Sequence, residues 1–476
     1  DGLVYLTRDN GKNWNNVTPA GLSERLINCI EVSPHDKATA YIATTRYKFN
    51  DFTPALFKTT DYGKTWTNIS SGIPYGAYTR CIREDEVKKD LLYAGTETGF
   101  YISYNGGKSW KQQQLNLPVT PITDLMVHKG NLIASTMGRA FWILDDLTVF
   151  EQYSRSDTMK RLALLQPTDA YRVSGGSALD ASSDDDDGPP PIYNSGTNAP
   201  TGLSIYYLVP AKPDSLKLTL EINNEKGELI RSYSTQPDKK FAGFMGGPEA
   251  EPLLSNKPGL NRFVWDMRYA TLPGVPNVFI EGSYQGRKVA PGKYRLTLKT
   301  GKEEKTTSFN ILPDPRLNAT AADYTKQEQT LAEVDSKIKE IHDGVNQMRT
   351  VRRQVNELMD IITDTAKYKT VIESGKNLVK KITTWEEKLV QPKAQSNDDI
   401  INFVNMLSAD YIFLKGEIDV NSPAVTNGQK EQLAALNTRW QPLQSEYLSL
   451  QKQVADFNAL CRSANIEKIT IPEAGK

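Results

Sequence analysis

The chain has 476 residues, room for about three domains at ~150 residues each. Its 57 basic and 57 acidic residues cancel, so there is no electrostatic case for nucleic acid or for an anionic membrane. No apolar run approaches the ~18–20 residues of a membrane span, and three cysteines and three isolated histidines without a Cys-x-x-Cys spacing argue against a metal site.

Residues 1–155 carry an internal repeat. Thr7-Arg8-Asp9-Asn10-Gly11-Lys12-Asn13-Trp14 recurs as Thr59-Thr60-Asp61-Tyr62-Gly63-Lys64-Thr65-Trp66 and as Ser103-Tyr104-Asn105-Gly106-Gly107-Lys108-Ser109-Trp110. The frame is [ST]-x-[DN]-x-G-x-x-W, at spacings of roughly 45–50 residues, a propeller-blade length. Asp9, Asp61 and Asn105 are expected to accept hydrogen bonds from backbone N–H groups one and two residues on. Gly11, Gly63 and Gly107 would supply a positive φ, and Trp14, Trp66 and Trp110 would tuck under their own hairpins. A structural role is therefore expected for all nine residues. Strand-like runs precede the boxes at Leu26–Val32, Ala40–Thr44, Arg80–Arg83, Leu91–Gly95, Ile122–Val127 and Leu132–Ser135. Each unit reads as a four-stranded blade.

Leu92-Tyr93-Ala94-Gly95-Thr96-Glu97-Thr98-Gly99-Phe100-Tyr101 and Gly138-Arg139-Ala140-Phe141-Trp142-Ile143-Leu144-Asp145-Asp146 resemble the bacterial BNR/Asp-box proteins related to the sortilin (Vps10) propeller. Met137 stands where that family usually has His. The resemblance implies a β-propeller of which residues 1–155 supply about three blades. A closed ring needs roughly four to eight, so a further N-terminal propeller segment is the first expected partner.

Residues 156–200 read as a linker. Within it Asp184, Asp185, Asp186 and Asp187 precede three prolines, which suits a solvated loop or, alternatively, a calcium site. No other cofactor is expected. Residues 201–314 alternate over Leu203–Val209, Leu216–Ile222, Glu228–Tyr233, Arg262–Met267, Tyr294–Lys299 and Thr306–Ile311. That pattern predicts an antiparallel sandwich, and its Val264-Trp265-Asp266 and Pro291-Gly292-Lys293-Tyr294 segments resemble the FlgD-type Ig-like fold, with Trp265 in the core.

Residues 315–465 change to helical spacing, in four apolar stripes ending at Ile362, Leu389, Ile418 and Cys461. They predict an antiparallel bundle, with Thr426–Gln429 as a capping box, Pro442 kinking the last helix, and 466–476 as a tail. Arg349, Arg352 and Arg353 suit a solvated face or a partner. Cys29, Cys81 and Cys461 are expected as buried free thiols.

No catalytic constellation stands out. A sialidase-like arginine cluster would draw on Arg8, Arg25, Arg46, Arg80, Arg83 and Arg139, and a glucanase-like pair on Glu84, Glu97, Asp145 and Asp146, but no spacing singles any out. Arg139, placed on an inner strand beside Gly138, is the expected ligand contact, against the plainer alternative of pairing with Asp145. The expected function is a non-catalytic binding or scaffold protein, exported to the periplasm, cell surface or exterior. Its partners would be an envelope complex, a peptide or a glycan. The alternative is a glycoside hydrolase, sialidase- or endo-glucanase-like, with its active site on other blades.

Overall fold

The structure is a computed structural model and describes residues 2–152, 161–173, 199–210, 217–239, 241–301, 303–466 and 468–473. Asp184–Asp187, weighed for calcium, lie outside the described residues. The chain divides into two compact units, 1–156 and 157–476.

The first unit consists of antiparallel sheets taken in chain order. Strands β1 (Tyr5–Leu6) and β2 (Asn15–Asn16) make a ribbon. Strands β3 (Leu26–Val32), β4 (Ala40–Arg46), β5 (Asp51–Thr59) and β6 (Thr67–Asn68) make a four-stranded meander. So do β7 (Thr79–Glu84), β8 (Leu92–Thr96), β9 (Gly99–Ser103) and β10 (Lys111–Gln112). Strands β11 (Ile122–His128), β12 (Asn131–Thr136) and β13 (Phe141–Leu144) form a three-stranded sheet, followed by helix α1 (Thr148–Gln152).

Successive sheets pack face to face. Tyr41, Ala43 and Leu56 share a core with Ile82, Ala94 and Tyr101. Side-chain alternation turns Cys81, Tyr93, Phe100 and Ile102 the other way, onto Ile122, Leu125, Leu132 and Ala134. Apolar cover on both faces explains why β8 and β9 are buried at every position. The outer sheets keep a bare side, where Ile30, Val32, Met126, Phe141 and Ile143 are exposed.

The second unit begins with β14 (Ala163–Leu164), β15 (Ala170–Tyr171), β16 (Leu203–Val209), β17 (Thr219–Asn224), β18 (Leu229–Ser234), β19 (Gly259–Trp265), β20 (Gly292–Lys299) and β21 (Glu304–Leu312). They form a three-stranded sheet, β14-β16-β19, and a five-stranded sheet, β15-β21-β20-β17-β18. The pairing is antiparallel except between β15 and β21. Ile205, Tyr207 and Trp265 from one sheet meet Leu220, Leu296 and Phe309 from the other in a single core. Trp265 is fully buried, and its indole N–H donates to the Arg268 carbonyl at 3.0 Å.

Helices α2 (Ala321–Ile361), α3 (Lys369–Glu386), α4 (Leu407–Ile418) and α5 (Asn427–Ser463) follow. Both long helices open on a capping box, Thr320 with Asp323 and Thr426 with Gln429. Helix α5 runs through Pro442 as one 37-residue element. The third stripe, which reads Ile400, Val404, Leu407, Tyr411, Leu414 and Ile418, breaks at its start: Asn397–Ile401 is a 3-10 turn, Val404 is exposed, and α4 begins only at Leu407. Arg349 and Arg352 neither face solvent nor await a partner, since both clamp the buried Glu386 carboxylate at 2.6 Å. Leu272, Val275, Val278 and Ile280, from the long connection between β19 and β20, lie in the helical core.

Cys81 and Cys461 are buried, Cys29 is half-buried, and all three are free thiols. Among the described residues no helix is long and apolar enough to cross a membrane, and no group of three or more His, Cys, Asp or Glu is placed to hold a metal ion.

Candidate functional site

The three Asp-box turns fold alike. The Thr7, Thr59 and Ser103 hydroxyls accept from the backbone N–H of Gly11, Gly63 and Gly107 at 2.8, 2.9 and 3.0 Å. Asp9, Asp61 and Asn105 accept from the N–H four residues on, at 2.9, 2.9 and 3.0 Å, so the turn is wider than the one-or-two-residue bonding expected. Each turn holds two successive positive φ angles, at Asn10 and Gly11, Tyr62 and Gly63, and Gly106 and Gly107. The Thr65 hydroxyl and backbone N–H together hold Asp61 down at about 2, and bonding to Asn13 lowers Asp9 in the same way. These carboxylates are spent on their own turns. Two of the tryptophans reach past their own hairpins: Trp66 donates to the Val17 carbonyl at 2.7 Å and Trp110 to the Ile69 carbonyl at 2.6 Å, each in the preceding unit, whereas Trp14 turns back to its own Gly11 carbonyl.

Strand alternation sorts the connections to two ends. The boxes follow β1, β5 and β9, at one end. The β4–β5, β6–β7, β8–β9 and β12–β13 connections lie at the other. At that loop end aromatic and arginine side chains gather. Tyr47 stacks on Tyr78 with centroids 5.3 Å apart, and Phe52 touches both Tyr78 and Tyr75, at 6.0 and 6.2 Å. Arg46 lies over Phe49 and Arg80 over Tyr78, 5.2 and 5.4 Å from the ring centres. Backbone bonds tie the loops together, Gly76 N–H to the Phe52 carbonyl at 3.1 Å and Glu97 N–H to the Tyr78 carbonyl at 3.0 Å. Tyr78 is buried beneath, while Tyr47, Phe49 and Tyr75 are exposed.

The charges here are paired. Arg46 meets Asp51 at 3.1 Å and Arg80 meets Glu97 at 2.5 Å. Burial works against the Arg80 charge, but the Glu97 hydrogen bond and charge outweigh it and hold the guanidinium above its ordinary pKa. Bonding from the Thr53 hydroxyl and N–H holds Asp51 below the usual carboxylate range. Burial lowers Arg25, and repulsion from Arg46 adds to it. The result is an aromatic shelf of stacked, tilted and edge-on rings, edged by guanidinium groups and suited to stacking and hydrogen bonding with a ligand.

Arg139 is exposed and belongs to this same end, but it sits on the β12–β13 turn rather than on an inner strand. Its carbonyl accepts from the Trp142 indole at 2.8 Å. Of the four carboxylates weighed for hydrolysis, Glu97 stands apart from the other three. Glu84 closes β7 at the box end, whereas Glu97 follows β8 at the loop end. Five strand residues separate their levels, about 17 Å, beyond the ~5–9.5 Å of glycosidase pairs. Asp145 and Asp146 follow β13 at the box end. Burial raises Glu151 to about 7, with Asp85 and Asp146 adding and Lys88 opposing, but Glu151 lies on α1, also past the box end.

Arg25, Arg46 and Arg80 are visible in the sequence as single arginines, but the shelf is not. The available signal was aromatic–arginine clustering in two turn segments, Arg46-Tyr47-Lys48-Phe49 and Pro74-Tyr75-Gly76-Ala77-Tyr78-Thr79-Arg80. In the second unit an open cavity of about 630 Å³ lies beside α4, but its cations are engaged: Arg268 with Asp419 at 2.5 Å, and Lys415 with the Gln285 carbonyl at 2.5 Å.

No family model and no curated protein matches the chain. Among solved structures it is similar to YCF48 bound to D1 peptide, at 18% identity and TM-score 0.25, over 30% of this chain and 45% of that one. YCF48 from Cyanidioschyzon merolae matches at 18% identity and TM-score 0.23, over 30% and 47%. A GH74 enzyme from Niastella koreensis matches at 14% identity and TM-score 0.22, over 60% and 38%. The chain thus spans less than half the length of each. None of the three sets the fold or the function of this chain.

Proposed function

We propose that this chain is part of a non-catalytic recognition protein, exported to the bacterial envelope or exterior. Residues 1–155 are the Asp-box blades of a sortilin-like β-propeller, residues 201–314 an Ig-like sandwich, and residues 315–465 an antiparallel helical bundle. The propeller engages a protein, peptide or glycan through its loop end. Arg139 extends that surface from the neighbouring turn.

One observation carries this. Aromatic and arginine side chains from successive loops converge at one end, while the carboxylates there, Asp51 and Glu97, are tied to arginines. A general acid needs a raised pKa, and Asp51 is shifted the other way. The competing account is a glycoside hydrolase whose acid–base pair lies outside these residues.

A panel of oligosaccharides and peptides separates the two. Binding to the panel is expected without release of reducing ends. Tyr75→Ala and Arg80→Ala each weaken that binding by roughly tenfold or more, as loss of a stacking or charged contact does. Turnover of any glycan by the full chain would sink the recognition account.

A further inference from the structure

Two box-to-box junctions repeat the same joint. The residue three positions after one box tryptophan is aliphatic, Val17 after Trp14 and Ile69 after Trp66. It lies against the next box's glycine. A Cβ at Gly63 would stand 2.7 Å from the Val17 Cβ, and one at Gly107 2.7 Å from the Ile69 Cδ1. The next box's indole then donates to the same residue's carbonyl, Trp66 to Val17 and Trp110 to Ile69. That residue hangs from its own hairpin by a matching backbone bond, Val17 N–H to Val4 and Ile69 N–H to Leu56, both at 2.8 Å. A hydroxyl one position on completes it, accepting from Val4 N–H at Thr18 and from Leu56 N–H at Ser70, both at 2.8 Å.

The chain also holds its own control. After Trp110 the equivalent position is Gln113, which keeps the backbone bond to Phe100 at 2.9 Å. Its side chain is polar, and the following sheet carries no Asp box. Within this chain, an aliphatic residue at that position therefore goes with a box that seats on it.

The first box has the full hardware and nothing in the seat. Its internal turn bonds match the other two. A Cβ on Gly11 would meet only its own Trp14 ring, at 3.9 Å. Trp14 is 57% exposed where Trp110 is 3%, and its indole N–H turns back to the Gly11 carbonyl at 3.1 Å. A different flank is also bare. Cys29 reaches the Ile82 carbonyl and Glu31 reaches Arg83, so alternation points Ile30 and Val32 away from β7, and both are exposed.

We infer, resting on the propeller reading proposed above, that Gly11 and Trp14 form the open seat for the outer strand of one further Asp-box blade of the same propeller. The occupant carries Asn-(Val/Ile)-(Ser/Thr) directly after its own Trp-x pair, with the aliphatic side chain against Gly11 and its carbonyl on the Trp14 indole. A second copy of this chain does not fit, because Val17 and Ile69 are already seated and Gln113 is polar. The exposed flank at Ile30 and Val32 is a separate surface, on the side of the β3–β6 sheet where Val17 already seats against Gly63.

The test titrates the full chain with a synthetic peptide of its own residues 56–71, which carries the second box and Ile69. The indole N–H resonance of Trp14, assigned by its absence in Trp14→Phe, is the readout. A saturable shift with about tenfold slower hydrogen exchange is expected. The shift persists with the Ile69→Val peptide and disappears with the Ile69→Gly peptide. No saturable shift at millimolar peptide overturns the proposal, as does an equal shift from the Ile69→Gly peptide. So does burial of Trp14 by self-association of the chain without peptide, which would make a second copy the occupant.

Discussion

Gly11, Gly63 and Gly107 share one backbone conformation, with φ of 90°, 81° and 87°, but differ in what surrounds them. Alanine at any of them costs about 1 kcal/mol for the left-handed backbone. At Gly63 and Gly107 the added methyl also collides with Val17 or Ile69, which brings the total to roughly 2–3 kcal/mol. Denaturant unfolding of the three variants is expected to show Gly11→Ala as the mildest, and equal losses would mean the joint contributes nothing. Asn105 does in the third box what Asp61 does in the second, so Asp61→Asn is expected to leave the unfolding midpoint nearly unchanged while Asp61→Ala lowers it. His342 is fully buried between the Pro273 carbonyl and the Ser408 hydroxyl, at 2.6 and 2.5 Å, and burial lowers it to about 4. The unfolded histidine takes up a proton near pH 6.5 that the folded one refuses. Its contribution is therefore complete above that pH and fades as pH falls toward 4, by up to ~3 kcal/mol. His342→Gln is expected to flatten the stability slope between pH 6.5 and 4 relative to wild type, and an unchanged slope would contradict the assignment.

Elements with a strong period were legible, while those fixed by distant partners were not. Leu26–Val32 and Leu203–Val209 are strands with the ends expected from alternation alone, and the Thr426 box starts α5. The stripe through Ile400 and Val404 misled because its spacing is helical while its backbone is set locally. The Ser396–Asp399 box caps only a 3-10 turn there, and Val404 is left exposed. Nothing periodic announces the β19–β20 connection, whose Leu272, Val275 and Val278 enter the helical core. Arg172 was equally invisible. It is 2% exposed and donates to the Val289 and Asn421 carbonyls and to the Gln327 side chain, joining segments far apart in sequence. Burial lowers its pKa, and the guanidinium stands only because those acceptors surround it. Arg172→Ala strands the Gln327 oxygen and empties the site, so a loss of about 3–5 kcal/mol is expected in thermal unfolding. A loss under ~1 kcal/mol would show that water replaces the side chain.

At the scale of the molecule, the repeat made the first unit readable because each box carries its own turn chemistry in eight adjacent residues. The shelf at the other end is built from residues roughly 30 apart, brought together only when β4–β5 and β6–β7 meet. Nothing in the local sequence therefore sets Arg80 apart from the other arginines or joins it to Tyr78, Phe52 and Tyr47. The sequence likewise suggests a strand for Arg139, whereas the β12–β13 turn carries it to the loop end. The most direct test takes the strongest binder from the oligosaccharide and peptide panel. Amide hydrogen exchange of the full chain is mapped with and without it, and the ligand's mass is then checked after incubation. The account predicts protection confined to the loops around Tyr47–Phe52 and Tyr75–Arg80 and the β12–β13 turn at Arg139, with the ligand recovered intact. Protection at the box turns or in the second unit, or a cleaved ligand, would contradict it.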